Sequence, residues 1–315
     1  MTDAHVMVVA GKGGVGSSTA AAALALVAAR DGASVIIISV DGRPGLGPLL
    51  GGRPLDGIDR ILQTVGTGSS KGVIRGRTIP PQAAFADYLE LKGINTMLRK
   101  AASAASLDSI AAATPGLEHL LVLGKIKELE RERAADLIIV DAPPAGHAAA
   151  FLRSAAALQK VVTSGPVRTQ ADEIAEMLAD RTRCQGLLVT VPEETPVNEL
   201  VELAYDIEEE LGLTLAPIIV NACWPDRDGL ALTPVAAAKQ QNIKLSAANK
   251  AALDGSSEFG RVRLDIQRRQ LARLDEQLAL PRIMLPRLAT ARLGPAELET
   301  IADALGVEPT LAVTG

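Results

Sequence analysis

Short runs of consecutive aliphatic residues, each followed by a turn and a helical pattern, constrain this chain more than any other feature. Val6-Met7-Val8-Val9 runs into a glycine cluster and then into the alanine-rich helix expected over 18–30. Val35-Ile36-Ile37-Ile38 is apolar throughout and leads to Asp41; similar runs occur at 137–140, 187–191, 217–220 and 283–285. A strand with one wet face alternates apolar and polar side chains. A strand that is apolar throughout is covered on both faces, as in a parallel sheet between helical layers. Strand–helix alternation therefore predicts an α/β fold with a doubly wound, mostly parallel sheet.

Two stretches interrupt the rhythm. Residues 81–133 read as helical without a strand, and residues 229–280 are polar and helical, with a charged run from Arg261 to Arg273. Both are expected to be helical insertions on a single domain spanning 1–315. The segment Gly66-Thr67-Gly68-Ser69-Ser70-Lys71-Gly72 reads as a loop between two short strand-like pieces.

Composition excludes several functions. The formal net charge is −5, and the aromatic residues are three Phe, two Tyr and one Trp. A nucleic-acid surface needs basic patches or stacking rings, so no nucleic-acid partner is expected. Cys184 and Cys223 form no CxxC, and His5, His119 and His147 are scattered, which disfavours a zinc site or a disulfide framework. The longest apolar run, Ala20 to Ala29, is shorter than the roughly 20 residues a bilayer requires, so no stable membrane insertion is expected. The N-terminal residues show no basic leader with an apolar segment. These features lead to the expectation of a cytoplasmic protein.

The chemistry concentrates in Gly11-Lys12-Gly13-Gly14-Val15-Gly16-Ser17-Ser18-Thr19. Glycines let backbone approach a phosphate closely, and the following helix N-terminus offers free N–H groups and a positive dipole end. Two readings share that physics. Gly11 to Ser18 fits the phosphate-binding pattern G-x4-G-K-[ST], except that Ser17 stands at the lysine. Gly11, Gly13 and Gly16 also match G-x-G-x-x-G, with Asp41 where a ribose-binding carboxylate would stand. Other residues favour the first reading. Lys12 has no task in a dinucleotide fold. Ser18-Thr19 places a hydroxyl on the first helical turn, suited to Mg²⁺. Asp141 ends an apolar strand and leads into Ala142-Pro143-Pro144-Ala145-Gly146-His147, a turn that hydride transfer does not need.

Lys12-Gly13-Gly14-Val15-Gly16 resembles the deviant Walker A motif (KGGxGK[ST]) of a family of ATPases. That family includes the arsenite-pump ATPase and the tail-anchored-protein targeting factor. Asp141 to His147, DAPPAGH, resembles its switch II pattern, DTAPTGH. Pro115-Gly116-Leu117-Glu118, Val191-Pro192-Glu193, Val220-Asn221 and Leu285-Pro286 are similar to further family elements, so the likeness runs along most of the chain. Within the family, Gly124-Lys125-Ile126-Lys127-Glu128 and Gly165-Pro166-Val167 look closest to the actinobacterial ArsA-like ATPases, which are regarded as paired, unlike subunits.

The resemblance implies ATP and Mg²⁺ as ligands and a homo- or heterodimer with another ArsA-like subunit, acting on a protein client. It implies that Gly13, Gly14, Val15, Gly16, Ser17, Ser18 and Thr19 cradle phosphates, beside Gly11. It further implies that Ser18 ligates Mg²⁺, with Asp141 holding it through a water. Lys12 would reach across the dimer, and Asp41 would orient the attacking water. Gly146 and His147 would sense the terminal phosphate, and Asn221 would bind adenine. Each has a plainer structural role as a competitor: caps for Asp41 and His147, a turn for Asn221, a solvated lysine for Lys12.

The departures matter as much. Ser17 removes the phosphate-facing lysine, a loss of about 10²–10³ in rate by analogy with a deleted oxyanion donor. Asp41-Gly42-Arg43-Pro44 keeps only the aspartate of the family's DPAH element, and Arg43 is a candidate source of the missing charge. Clustered thiolates for arsenite are absent, and Met is only 5, sparse for a groove that takes membrane helices. The chain therefore reads as an ATP-binding, dimer-forming ATPase, with hydrolysis weakened at Ser17. A dinucleotide-dependent oxidoreductase and a nucleotide-free scaffold are the alternatives.

Overall fold

The computed structural model describes residues 4–67, 71–91, 116–227 and 229–306. Residues 68–70 of the expected loop and 92–115 of the expected helical stretch, Pro115 included, lie outside the described residues. The strands are β1 (Val6–Gly11), β2 (Ser34–Ser39), β3 (Arg60–Val65), β4 (Gly72–Thr78), β5 (Leu137–Asp141), β6 (Cys184–Thr190), β7 (Ile218–Cys223) and β8 (Arg282–Pro286). They form one sheet in the order β3-β4-β2-β5-β1-β6-β7-β8. All neighbours pair in parallel except β3, which runs antiparallel to β4.

The helices described are α1 (Ser17–Arg30), α2 (Leu46–Leu49), α3 (Pro81–Leu91), α4 (Leu117–Arg131), α5 (Ala145–Val161), α6 (Pro166–Ala179), α7 (Glu194–Leu211), α8 (Pro234–Gln240), α9 (Ala247–Gln277) and α10 (Pro295–Leu305). Successive strand side chains point to opposite faces, and the core divides accordingly. Val6, Val8, Ala10, Ile36, Ile38, Ile138 and Val140 pack with α4, α5, α6 and α7 on one face. Met7, Val9, Val35, Ile37, Ile139, Leu187 and Val189 pack with α1 and α10 on the other. Each buried Val, Ile, Leu or Met among them contributes about 1.5–3 kcal/mol, which explains why β1, β2 and β5 carry no polar alternation.

Helix α1 is buried nearly all round: Ala20, Ala21, Ala22, Ala23, Ala25, Ala28 and Ala29 are all buried. Alanine lets the helix backbone lie close to both the sheet and α10, and it costs no side-chain entropy. At its exposed end Arg30 pairs with Glu299 and with Asp303 at 2.7 Å, fastening α1 to α10. Helix α4, inside the stretch expected as an insertion, packs in the core with α5 and α6 on the way to β5. Helix α9 is 31 residues long and buries only Leu264, Gln267 and Leu274. The stretches 81–91, 116–131, 234–240 and 247–277 are thus helical or nearly so, without a strand among their described residues.

Candidate functional site

Strand β1 is central and β5 lies directly beside it, with Val9 opposite Asp141. The loop after β1 and Asp141 at the end of β5 therefore meet at the carboxyl end of the sheet, where open α/β sheets bind ligands. In the dinucleotide arrangement 3-2-1-4-5-6 the second strand adjoins the first. Here β5 stands between them, and the carboxylate next to the glycine loop is Asp141 rather than Asp41. The strand order does not fit the dinucleotide alternative.

Two glycines of the loop are dictated by close approach. A Cβ on Gly11 would lie 2.3 Å from the Val189 carbonyl oxygen of β6. Gly16 caps α1 in the left-handed region, φ 92°, and a Cβ there would lie 2.3 Å from Asn221 Nδ2. The chain then turns into α1 at Ser17, which is buried. Among the residues of α1's first turn there is no acidic side chain to offset the dipole.

Ser18 Oγ donates to Asp141 Oδ2 at 2.7 Å. The other oxygen, Asp141 Oδ1, is buried and has no hydrogen-bond partner among the described residues. Burial pushes the Asp141 carboxyl up to about 6, against the opposing effects of the Ser18 bond and of Arg43. A buried carboxylate oxygen without a donor, next to a hydroxyl, is a hard oxygen set of the kind Mg²⁺ takes. The residues present fit that ion.

The loop after β2 reaches the same place. Val40 N–H donates to the Asp141 carbonyl at 3.1 Å, and Arg43 N–H donates to Ser39 Oγ at 3.2 Å. These bonds set the Arg43 guanidinium beside α1: Nη1 lies 3.4 Å from Ser18 Oγ and Nη2 lies 3.5 Å from Asp41 Oδ2. Asp41 itself is exposed.

The remaining expected residues have the following surroundings in the structure. Asn221 lies within β7; its Nδ2 donates to the Val15 carbonyl at 2.8 Å and its Oδ1 accepts from Ala222 N–H at 2.8 Å. In this structure it is a clamp on the glycine loop. Lys12 pairs with Glu199 of α7 in its own chain. Gly146 and His147 are exposed in the first turn of α5, where a Cβ at 146 would meet nothing. Thr19 is buried in α1.

Beside Lys12, Gly13 and Gly14 a cleft of about 660 Å³ opens toward Glu193, Arg263 and Gln270. Arg263 closes one wall by pairing with Glu193 at 2.6 Å. Trp224, just past β7, has Arg287 over its ring at 4.5 Å and Phe259 against its edge. Gln267 of α9 binds both backbone polar groups of Trp224, at 2.8 and 3.1 Å. Neither Glu199 nor Trp224 carried a motif in the sequence; only their tertiary neighbours mark them.

Comparison with known proteins agrees with this geometry. The family of anion-transporting ATPases matches residues 4–50 and 85–170. ATPase BagA of Mycobacterium tuberculosis is 32% identical over 233 residues, covering 71% of this chain and 67% of that protein. A putative arsenical pump-driving ATPase of Halobacterium salinarum is 23% identical over 231 residues, covering 70% of this chain and 35% of that protein. ATPase get3 of Pyrenophora tritici-repentis is 23% identical over 213 residues, covering 65% and 58%. With its glycine loop on the central strand, its carboxylate on the neighbouring one and this extent of likeness, the chain belongs to the ArsA-like ATPase family.

Proposed function

We propose that this protein binds ATP with Mg²⁺ at the glycine loop and couples nucleotide state to a partner or client protein, as one subunit of a dimer. The observation that carries the reading is the meeting of three elements at one point: the loop Gly11–Thr19, Ser18 bonded to Asp141, and the 40–43 loop tied to both. The backbone N–H groups of 13–19 and the N-terminus of α1 would hold the phosphates. Ser18 and, through a water, Asp141 would hold Mg²⁺, which when bound neutralises charge on the phosphate oxygens. Asp41, exposed beside Arg43, would orient the attacking water. Gly146 and His147, exposed on α5, would respond to the terminal phosphate.

Lys12 would serve the second subunit, and its pair with Glu199 would have to open first. Because Ser17 stands at the lysine position, the chain would bind ATP but hydrolyse it slowly, as the weaker subunit of a heterodimer. No helix among the described residues is long and apolar enough to cross a membrane, so the client or partner would be met at a water-exposed surface.

The test is calorimetric titration of the purified chain with Mg·ATP, with light scattering before and after. Saturable binding is expected, with a doubling of mass if the chain pairs with itself and only in the presence of an unlike ArsA-like subunit if it is half of a heterodimer. Lys12→Ala should keep the binding and lose the doubling. No binding at millimolar ATP would overturn the reading. An Asp41→Asn variant that hydrolyses ATP as fast as wild type, alone and with a partner, would remove Asp41 from its role.

A further inference from the structure

The site as built is short of one positive charge. Ser17 is neutral and buried at the head of α1, and Lys12 is turned to Glu199. Of the cationic side chains whose contacts are described, Arg43 is the one held against the loop's own hydroxyl. Its Nη1 lies 3.4 Å from Ser18 Oγ. Its Nη2 is buried with no hydrogen-bond partner among the described residues, and its nearest anion, Asp41 Oδ2, stands at 3.5 Å. A buried guanidinium N–H without an acceptor is costly, and a phosphate oxygen is the acceptor that suits it: guanidinium stays charged and its planar fork matches phosphate. The position is not adventitious, because Val40 N–H on the Asp141 carbonyl and Arg43 N–H on Ser39 Oγ anchor the backbone on either side of Asp41.

We propose that Arg43 is the phosphate-binding cation of this site, taking the place of the lysine that Ser17 replaces. The inference rests on the nucleotide reading above and sharpens it. The charge reaches the phosphates from the β2 loop instead of from the glycine loop. Binding of ATP would draw Arg43 from Asp41 to phosphate and so release Asp41 toward water. One residue would then link phosphate occupancy to the 40–43 loop.

The experiment is calorimetric titration of Arg43→Ala, Arg43→Gln, Ser17→Lys and the double variant Ser17→Lys/Arg43→Ala with Mg·ATP, Mg·ADP and AMP. Thermal melts of each variant are recorded without nucleotide. A lost charge-assisted bond predicts about 10- to 100-fold weaker ATP binding for Arg43→Ala and Arg43→Gln. AMP binding should fall much less, and the double variant should recover to within about threefold of wild type, since a lysine restores the charge. Arg43→Gln carries the test if Arg43→Ala melts early, since it keeps the aliphatic stem and a neutral hydrogen-bonding end. Wild-type binding with Arg43→Gln unchanged would overturn this inference alone. Equal losses for ATP and AMP, or no recovery in the double variant, would overturn it too, by showing loop damage instead of lost charge. No saturable ATP binding by wild type would overturn the nucleotide reading, and this inference with it.

Discussion

Gly16 and Asn221 form one device at the residue scale. The glycine permits φ 92° and leaves room for the amide that bonds Val15. Gly16→Ala forces a Cβ into that amide and into a left-handed backbone. A destabilisation of about 1–3 kcal/mol is expected from the strain, read from urea midpoints, together with loss of any ATP binding. Asn221→Ala removes only the clamp, and about 1 kcal/mol is expected for it. The two cysteines are the opposite case, residues whose chemistry the fold suppresses. Burial pushes both Cys184 and Cys223 up to about 12. A thiol reacts as its thiolate, so the native protein should leave both unlabelled by a disulfide reagent near pH 8, with full labelling in guanidinium. Rapid native labelling of either would contradict its placement.

At the scale of the element, α4 carries more polar interior than an amphipathic helix usually does. Lys127 is buried and contacts Glu173, Gln170 at 3.1 Å and Glu128 at 3.4 Å. Removing one partner leaves buried charge behind. Lys127→Ala should therefore cost about 3 kcal/mol, whereas Arg60→Ala, which breaks only the exposed pair with Asp56, should cost a small fraction of that. A denaturant titration of both variants checks the contrast. His119, also on α4, sets its ring against the edge of Phe151. Burial lowers its histidine value from 6.5, overcoming the opposite pull of Glu118 and Asp41. The folded state thus binds the proton less readily than the unfolded chain. Stability is full above 6.5 and is lost as pH falls below it through the lowered folded value. His119→Phe should flatten that decline, seen in urea midpoints near pH 7.5 and pH 5.5.

For the whole molecule, nucleotide binding and folding are linked. A ligand at about 100 times its Kd stabilises the native state by about 2.7 kcal/mol, so Mg·ATP should raise the melting temperature by several degrees. Chelation of the metal should reverse part of that rise if Ser18 and Asp141 hold it. If Arg43 holds the phosphates in binding but does not follow them into the transition state, Ser17→Lys should raise the steady-state hydrolysis rate by about 10²-fold or more, by the reasoning applied to a deleted transition-state donor. An unchanged rate would mean that the missing lysine is not what limits turnover. The 31-residue α9 supplies Arg263 to the wall of the cleft beside Lys12, and its Gln267 binds Trp224.

The amino-acid sequence by itself determined the α/β class, the central glycine loop and the two carboxylates. Local rules sufficed for these: an all-aliphatic run must be covered on both faces, and a glycine-rich turn before a helix must face a ligand or a neighbour. It also marked Ser17 as the departure. Tertiary structure decided the rest. Strand order, which no local pattern encodes, put Asp141 beside the loop and Asp41 one strand away. The need for glycine at position 11 came from the β6 carbonyl, 178 residues along the chain by the pairing of Gly11 with Val189. Asn221 became a clamp and Lys12 found Glu199 through contacts between elements distant in sequence. Arg43 shows the same division: its charge was legible as a candidate, but only the hydrogen bonds of Val40 and Ser39 bring it to Ser18. Side-chain identity is local information, whereas proximity is set by how layers pack, and a site needs both.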